Sequence, residues 1–172
     1  MIAPAPDTDF RQLKDMPVTG IMDKIISVYY PQLSALIGHT DATIAALSAS
    51  YSMAGKAMLD KVREELGGMI SKEKMILFPL LLLLEKEDRK SDCGPFKLVK
   101  KHYQSLLSVL PSIRYLLEED TAPGRNTLKA IKQVNDLELH IMALQRAKEK
   151  YLFNRFKSCN NDCQITAYAS LK

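Results

Sequence analysis

The sequence predicts an all-α protein, specifically an antiparallel four-helix bundle. Four long stretches repeat apolar residues at steps of three, four or seven, which is the spacing of one helix face. No segment joins β-branched enrichment to period-two alternation. The connections between the stretches are short, which makes successive helices neighbours that run in opposite directions.

Residues 1–16 carry Pro4 and Pro6 among polar residues and read as an irregular N-terminal arm. The bundle is assigned to residues 17–156 and a polar C-terminal tail to 157–172. The first helix is expected from about Val18 to Ser50, with Met22, Ile26, Tyr30, Leu33, Ile37, Ile44, Leu47 and Tyr51 on its inner stripe. Pro31 removes one backbone hydrogen bond and should kink it beside Tyr30. Ser52–Gly55 reads as a break. The second helix, about Lys56 to Glu87, places Met58, Val62, Leu66, Met69, Glu73, Leu77, Leu80 and Leu84 inward, with a second kink at Pro79. A charged linker leads to Pro95, a favourable first-turn residue. The third helix then carries Phe96, Val99, Tyr103, Leu106, Leu110, Ile113 and Leu117 on one face, and Pro111 is expected to bend it. The sequence TAPG at 121–124 marks a turn. The fourth helix, about Asn126 to Phe156, places Ile131, Val134, Leu137, Ile141, Leu144, Lys148 and Leu152 inward.

Bulk properties narrow the function classes. The chain has 172 residues, 47% hydrophobic and 26% charged, the size and composition of one globular domain. A chain of this length buries a sizeable core without disulfides or a metal, so any iron would serve chemistry and not folding. The net charge of +4 includes no run of five basic residues, and no aromatic residues interleave with basic ones, so nucleic acid is not an expected partner. Cys93, Cys159 and Cys163 form no regular framework and read as reduced cytosolic thiols. The start, MIAPAPDTDF, lacks the basic and apolar regions of a signal peptide. The most apolar run, Met75 to Leu84, is about half the ~20 residues that span a membrane. The expectation is a cytoplasmic protein with no membrane partner.

Two residues break the apolar pattern. Glu73 and Lys148 each fall on an inner stripe, where an unpaired charge is very unfavourable. Their surroundings match. In MISKEKMILFP (69–79) and LQRAKEKYLFN (144–154), alignment on Leu77–Phe78 and Leu152–Phe153 pairs Met69 with Leu144 and Glu73 with Lys148. Alignment on Lys-Glu-Lys would instead pair Glu73 with Glu149 and turn Glu149 inward.

The phrases REELGGMISKEKMILFPLL (63–81), GPFKLVKKHY (94–103) and YLFNRF (151–156) resemble the hemerythrin-like proteins that repair damaged iron–sulfur clusters. The resemblance implies a bundle in which two His-x-x-x-Glu motifs on the second and fourth helices, with three further histidines from the first and third, hold a di-iron centre. The i, i+4 spacing puts both side chains of a motif on one face, toward the bundle axis. Carried onto this chain, the implied ligand positions are Tyr30, Tyr51, Met69, Glu73, Tyr103, Leu144 and Lys148, of which only Glu73 keeps the family's residue. His102 is one residue before the third-helix position, about 100° around the helix. His39 lies off the stripe, and His140 is one turn before Leu144.

Iron favours imidazole and carboxylate, whereas leucine offers nothing and an ammonium repels the metal. The expectation is therefore a metal-free centre in which Lys148 pairs with Glu73 and the hydroxyls of Tyr30, Tyr51 and Tyr103 complete a polar network. No cofactor is expected. The protein would act in binding, regulation or structure, on an unknown protein partner or a small apolar ligand in the core, with homodimerisation open. The alternative is an iron protein of cluster repair or stress response. It would use either a ferric site on the tyrosines and Glu73 or a rearranged set of Glu73, His102, His140 and Glu149.

Overall fold

The computed structural model describes residues 10–91, 94–120 and 122–157. Expectations about Cys93, Cys159, Cys163 and the tail beyond Lys157 lie outside the described residues. All regular structure among the described residues is helical. The first long helix comprises α1 (Val18–Lys24), a π turn (Ile25–Tyr29) and α2 (Tyr30–Ala45). The second comprises α3 (Ala49–Lys72), a π turn (Glu73–Leu77) and α4 (Phe78–Lys86). Helices α5 (Gly94–Glu118) and α6 (Arg125–Tyr151) complete the four. Helix α2 packs on α3 and α6, and α5 packs on the same two, so the four close a ring around one core.

A π turn lies at each of the two places where a proline kink was expected. In each, the backbone N–H reaches five residues back, from Tyr30 to Ile25 and from Phe78 to Glu73. Each turn is followed by an aromatic residue and then proline, Tyr30–Pro31 and Phe78–Pro79. Proline donates no hydrogen bond and its ring crowds the preceding turn. A widened turn lets the helix continue through it. The wider turn also shifts the phase of the inner stripe: Ile25 is fully buried where Ile26 was expected, and Tyr29 is drawn inside beside Tyr30. Pro111 lies inside a continuous α5.

Two boundaries differ from expectation. The break between the first and second helices is at Ala46–Ser48, and Ser52–Gly55 is helical. Gly55 is a packing residue: a Cβ there would meet Ile44 Cγ2 at 3.0 Å. Gly67 and Gly68 lie on the same helix with open space where a Cβ would be. Gly55→Leu should therefore destabilise the fold by about 1–3 kcal/mol through overpacking. Gly67→Ala should stabilise it by up to about 1 kcal/mol through helix propensity. Chemical denaturation of the two variants checks the opposite signs.

The second difference is the N-terminal arm. Residues 10–16 are not irregular: Phe10–Leu13 form a 3-10 turn with both ends buried in the core. Phe10 packs against Tyr29 at a tilt of 49°, with ring centroids 4.8 Å apart. Gln12 Nε2 donates to the Tyr29 hydroxyl at 3.1 Å. From the far end of the chain, the Arg155 guanidinium donates to the carbonyls of Met16 and Lys14 at 3.0 and 3.2 Å. Helix α4 ends in a Schellman arrangement: Arg89 N–H bonds Leu84 O and Asp88 N–H bonds Glu85 O, with Asp88 in the left-handed region at φ 50°.

Candidate functional site

Four elements deliver polar groups to one point in the core. Tyr30 opens α2 directly after the first π turn, and Glu73 opens the second π turn. Tyr103 comes from the middle of α5 and Lys148 from the last turn of α6. All four side chains are buried, three of them completely.

Lys148 Nζ donates to both carboxylate oxygens of Glu73, at 2.8 Å to Oε1 and 2.6 Å to Oε2. The Tyr30 hydroxyl donates to Glu73 Oε2 and lies 3.5 Å from Lys148 Nζ. The ammonium also sits over two rings, 4.7 Å from the centre of Tyr103 and 5.4 Å from that of Tyr30. Ring faces attract a desolvated cation, so the tyrosines act on Lys148 through their π systems as well as through oxygen. Burial, and then the neighbouring Glu73 charge, push the Tyr30 hydroxyl far above the usual tyrosine range. The same two causes raise Tyr103. Both therefore remain neutral phenols. Burial lowers the Lys148 pKa, against the opposing charge and hydrogen bonds of Glu73.

The structure separates the other sequence candidates. Met69 and Leu144 are buried one turn before Glu73 and Lys148, and each adds only apolar bulk beside the ion pair. Tyr103 faces inward, but its hydroxyl makes no hydrogen bond among the described residues; only its ring takes part. Tyr51 is not on the first helix. It lies in the first turn of α3, 22 residues before Glu73, about 33 Å along the helix at ~1.5 Å per residue. It supplies no hydroxyl to the network. His102 turns to the surface, with Nε2 2.9 Å from Lys72 Nζ, and His39 is exposed. Glu149 pairs with Lys157, so Lys148 is the inward residue and alignment on the Leu-Phe pairs holds.

His140 does face inward. It is 1% exposed, with its ring centroid 6.3 Å from that of Phe10, about two turns along α6 from Lys148. Neither ring nitrogen has a hydrogen-bond partner among the described residues. Burial lowers its pKa below the usual histidine value of 6.5. The unfolded chain thus binds the proton more readily than the folded one, so stability rises with pH across the interval between the two values. Acidification from about pH 6.5 should destabilise the protein by up to about 1.4 kcal/mol per pH unit from this group. His140→Phe should flatten that part of a stability-against-pH curve, and an unchanged slope would refute the assignment.

Sequence reasoning missed Tyr29, the buried last residue of the first π turn, and Phe10 and Gln12, which hold it from the preceding 3-10 turn. The available signals were the three-residue step from Phe10 to Leu13 and the Tyr29–Tyr30 doublet.

No family model matches this chain, and neither does any curated protein.

The donor set fits iron poorly. One carboxylate converges here, and an ammonium already holds both of its oxygens. The two nearby phenols resist ionisation. The side chains one turn before Glu73 and Lys148 are Met69 and Leu144, and neither offers an imidazole or a carboxylate. Among the described residues no three His, Cys, Asp or Glu side chains gather to hold a metal.

Proposed function

We propose that this chain is a hemerythrin-like antiparallel bundle in which an internal ion pair stands where the family holds iron. It works, in this reading, as a cytoplasmic binding or regulatory protein and not as an iron enzyme. The observation that supports it most is the Lys148 ammonium placed 2.6 and 2.8 Å from the Glu73 oxygens. The ammonium supplies the positive charge that a metal would otherwise bring to a buried carboxylate. The axis around the pair is filled by Met69, Tyr103 and Leu144, each at most 1% exposed. That filling favours a partner on the outer surface over a small apolar ligand inside.

Elemental analysis of the full chain, expressed in iron-rich medium, tests the proposal. Iron well below one equivalent per chain, in a colourless preparation, is the expected result. Stoichiometric iron, or a tyrosinate-to-iron absorption band, would overturn it. Lys148→Glu supplies a second arm. It sets two carboxylates side by side, which raises the pKa of one of them. The variant should be less stable than the parent at neutral pH and should recover part of the loss on acidification.

A further inference from the structure

The segment Met75–Leu84 is apolar on all sides. Its inner face, with Leu77, Phe78, Leu81 and Leu84, is buried in the core. Its outer face is not: Met75 is 75% exposed, Ile76 60%, Leu83 50% and Leu82 40%. A helix that is apolar all round is normally covered on every side. The other large exposed apolar residues, such as Met53, Tyr115 and Leu139, are spread over other elements. These four instead form two pairs, Met75–Ile76 and Leu82–Leu83, offset by seven residues, about two turns, on the second π turn and α4.

Beside this ridge runs a groove of about 300 Å³ between α1 and α4, floored by Met22, Ile26, Phe78 and Pro79. Its rims carry opposite charges, Asp23 on α1 and Lys74 on the π turn. A ridge beside a groove, with an acid on one rim and a base on the other, supplies on one chain both halves of the contact that a two-fold interface needs. The ridge of each copy enters the groove of the other, and each Asp23 meets the opposite Lys74.

We propose that this face is an isologous homodimer interface, and that its occupant is a second copy of this chain. The apolar ridge supplies the desolvated centre and the Asp23–Lys74 pairs fix the orientation at the rim. An anionic lipid surface favours a face of uniformly positive charge, whereas this rim carries one charge of each sign.

Sedimentation of the full chain over a wide concentration range tests this. The native chain should be a concentration-dependent dimer. Ile76→Glu and Leu83→Glu, both at exposed positions, should raise the dissociation constant at least about tenfold, the scale of an interface hot spot. Their circular dichroism should remain that of the parent. Asp23→Lys and Lys74→Asp should each weaken self-association, since each sets like charges together. Mixing these two single variants should restore it as a heterodimer, because every rim contact is then between opposite charges. A chain that stays monomeric at all concentrations would overturn the proposal, as would a dimer indifferent to the four substitutions or single variants that fail to pair on mixing. Binding of a monomeric chain to phosphatidylcholine–phosphatidylserine vesicles through this face would equally overturn it, by assigning the face to lipid.

Discussion

Lys148→Met is expected to remove about 3–5 kcal/mol of folding stability. The ammonium is wholly buried and is the one cation within hydrogen-bond reach of Glu73 among the described residues. Without it the carboxylate keeps a single neutral donor, the Tyr30 hydroxyl, in a site without water access. One hydrogen bond to a charged group contributes about 1.5–3 kcal/mol, less than the desolvation of the charge it would have to offset. The pair as a whole need not be stabilising. Replacing it by apolar residues of similar volume is often neutral or favourable by about 1–4 kcal/mol. The combination of Glu73→Leu, Lys148→Met and Tyr30→Phe should therefore recover most of what Lys148→Met alone loses. Urea unfolding of the two variants reads both effects. A single variant within about 1 kcal/mol of the parent would show that Glu73 is not held as a buried anion.

Phe10→Ala is expected to destabilise the protein by about 3 kcal/mol, at the lower end of the range for a buried phenylalanine because the 3-10 turn lies at the edge of the core. The ring packs at a tilt against both Tyr29 and His140, so its removal does more than leave a cavity. It takes away the aromatic ring whose centroid lies 6.3 Å from that of His140. The His140 pKa should rise toward 6.5 as its desolvation is relieved. Titration of the imidazole by NMR reads that shift separately from stability. A large stability loss with no movement of the His140 pKa would mean that other side chains exclude the water.

The inner stripes of the third and fourth helices were legible in the sequence almost residue by residue. Phe96, Val99, Tyr103, Leu106, Val134, Leu137, Ile141 and Lys148 are all buried as their spacing requires. Both helices run without a change of pitch, so one period describes each of them. The first two helices were less legible because a π turn interrupts each one. A template of three- and four-residue steps cannot follow a five-residue turn, and it misassigned Ile26 for Ile25. Gly55 and the break at 46–48 were misread for a related reason. Glycine marks a break or a close approach with equal ease, and only the position of Ile44 distinguishes them.

By itself the sequence determined that four helices form, that two opposite charges fall on apolar stripes, and that two prolines disturb the helices beside them. Those properties follow from periodicity and from the chemistry of single residues, which are local. Only the tertiary structure decided that the two charges meet, that Tyr30 donates to Glu73 while Tyr103 offers its ring, and that Tyr51 lies far away. It also decided that Phe10 closes over His140 and that the outer face of Met75–Leu83 is left uncovered. Those facts depend on how helices rotate and slide against one another, and a spacing along the chain does not encode the distance between two helices.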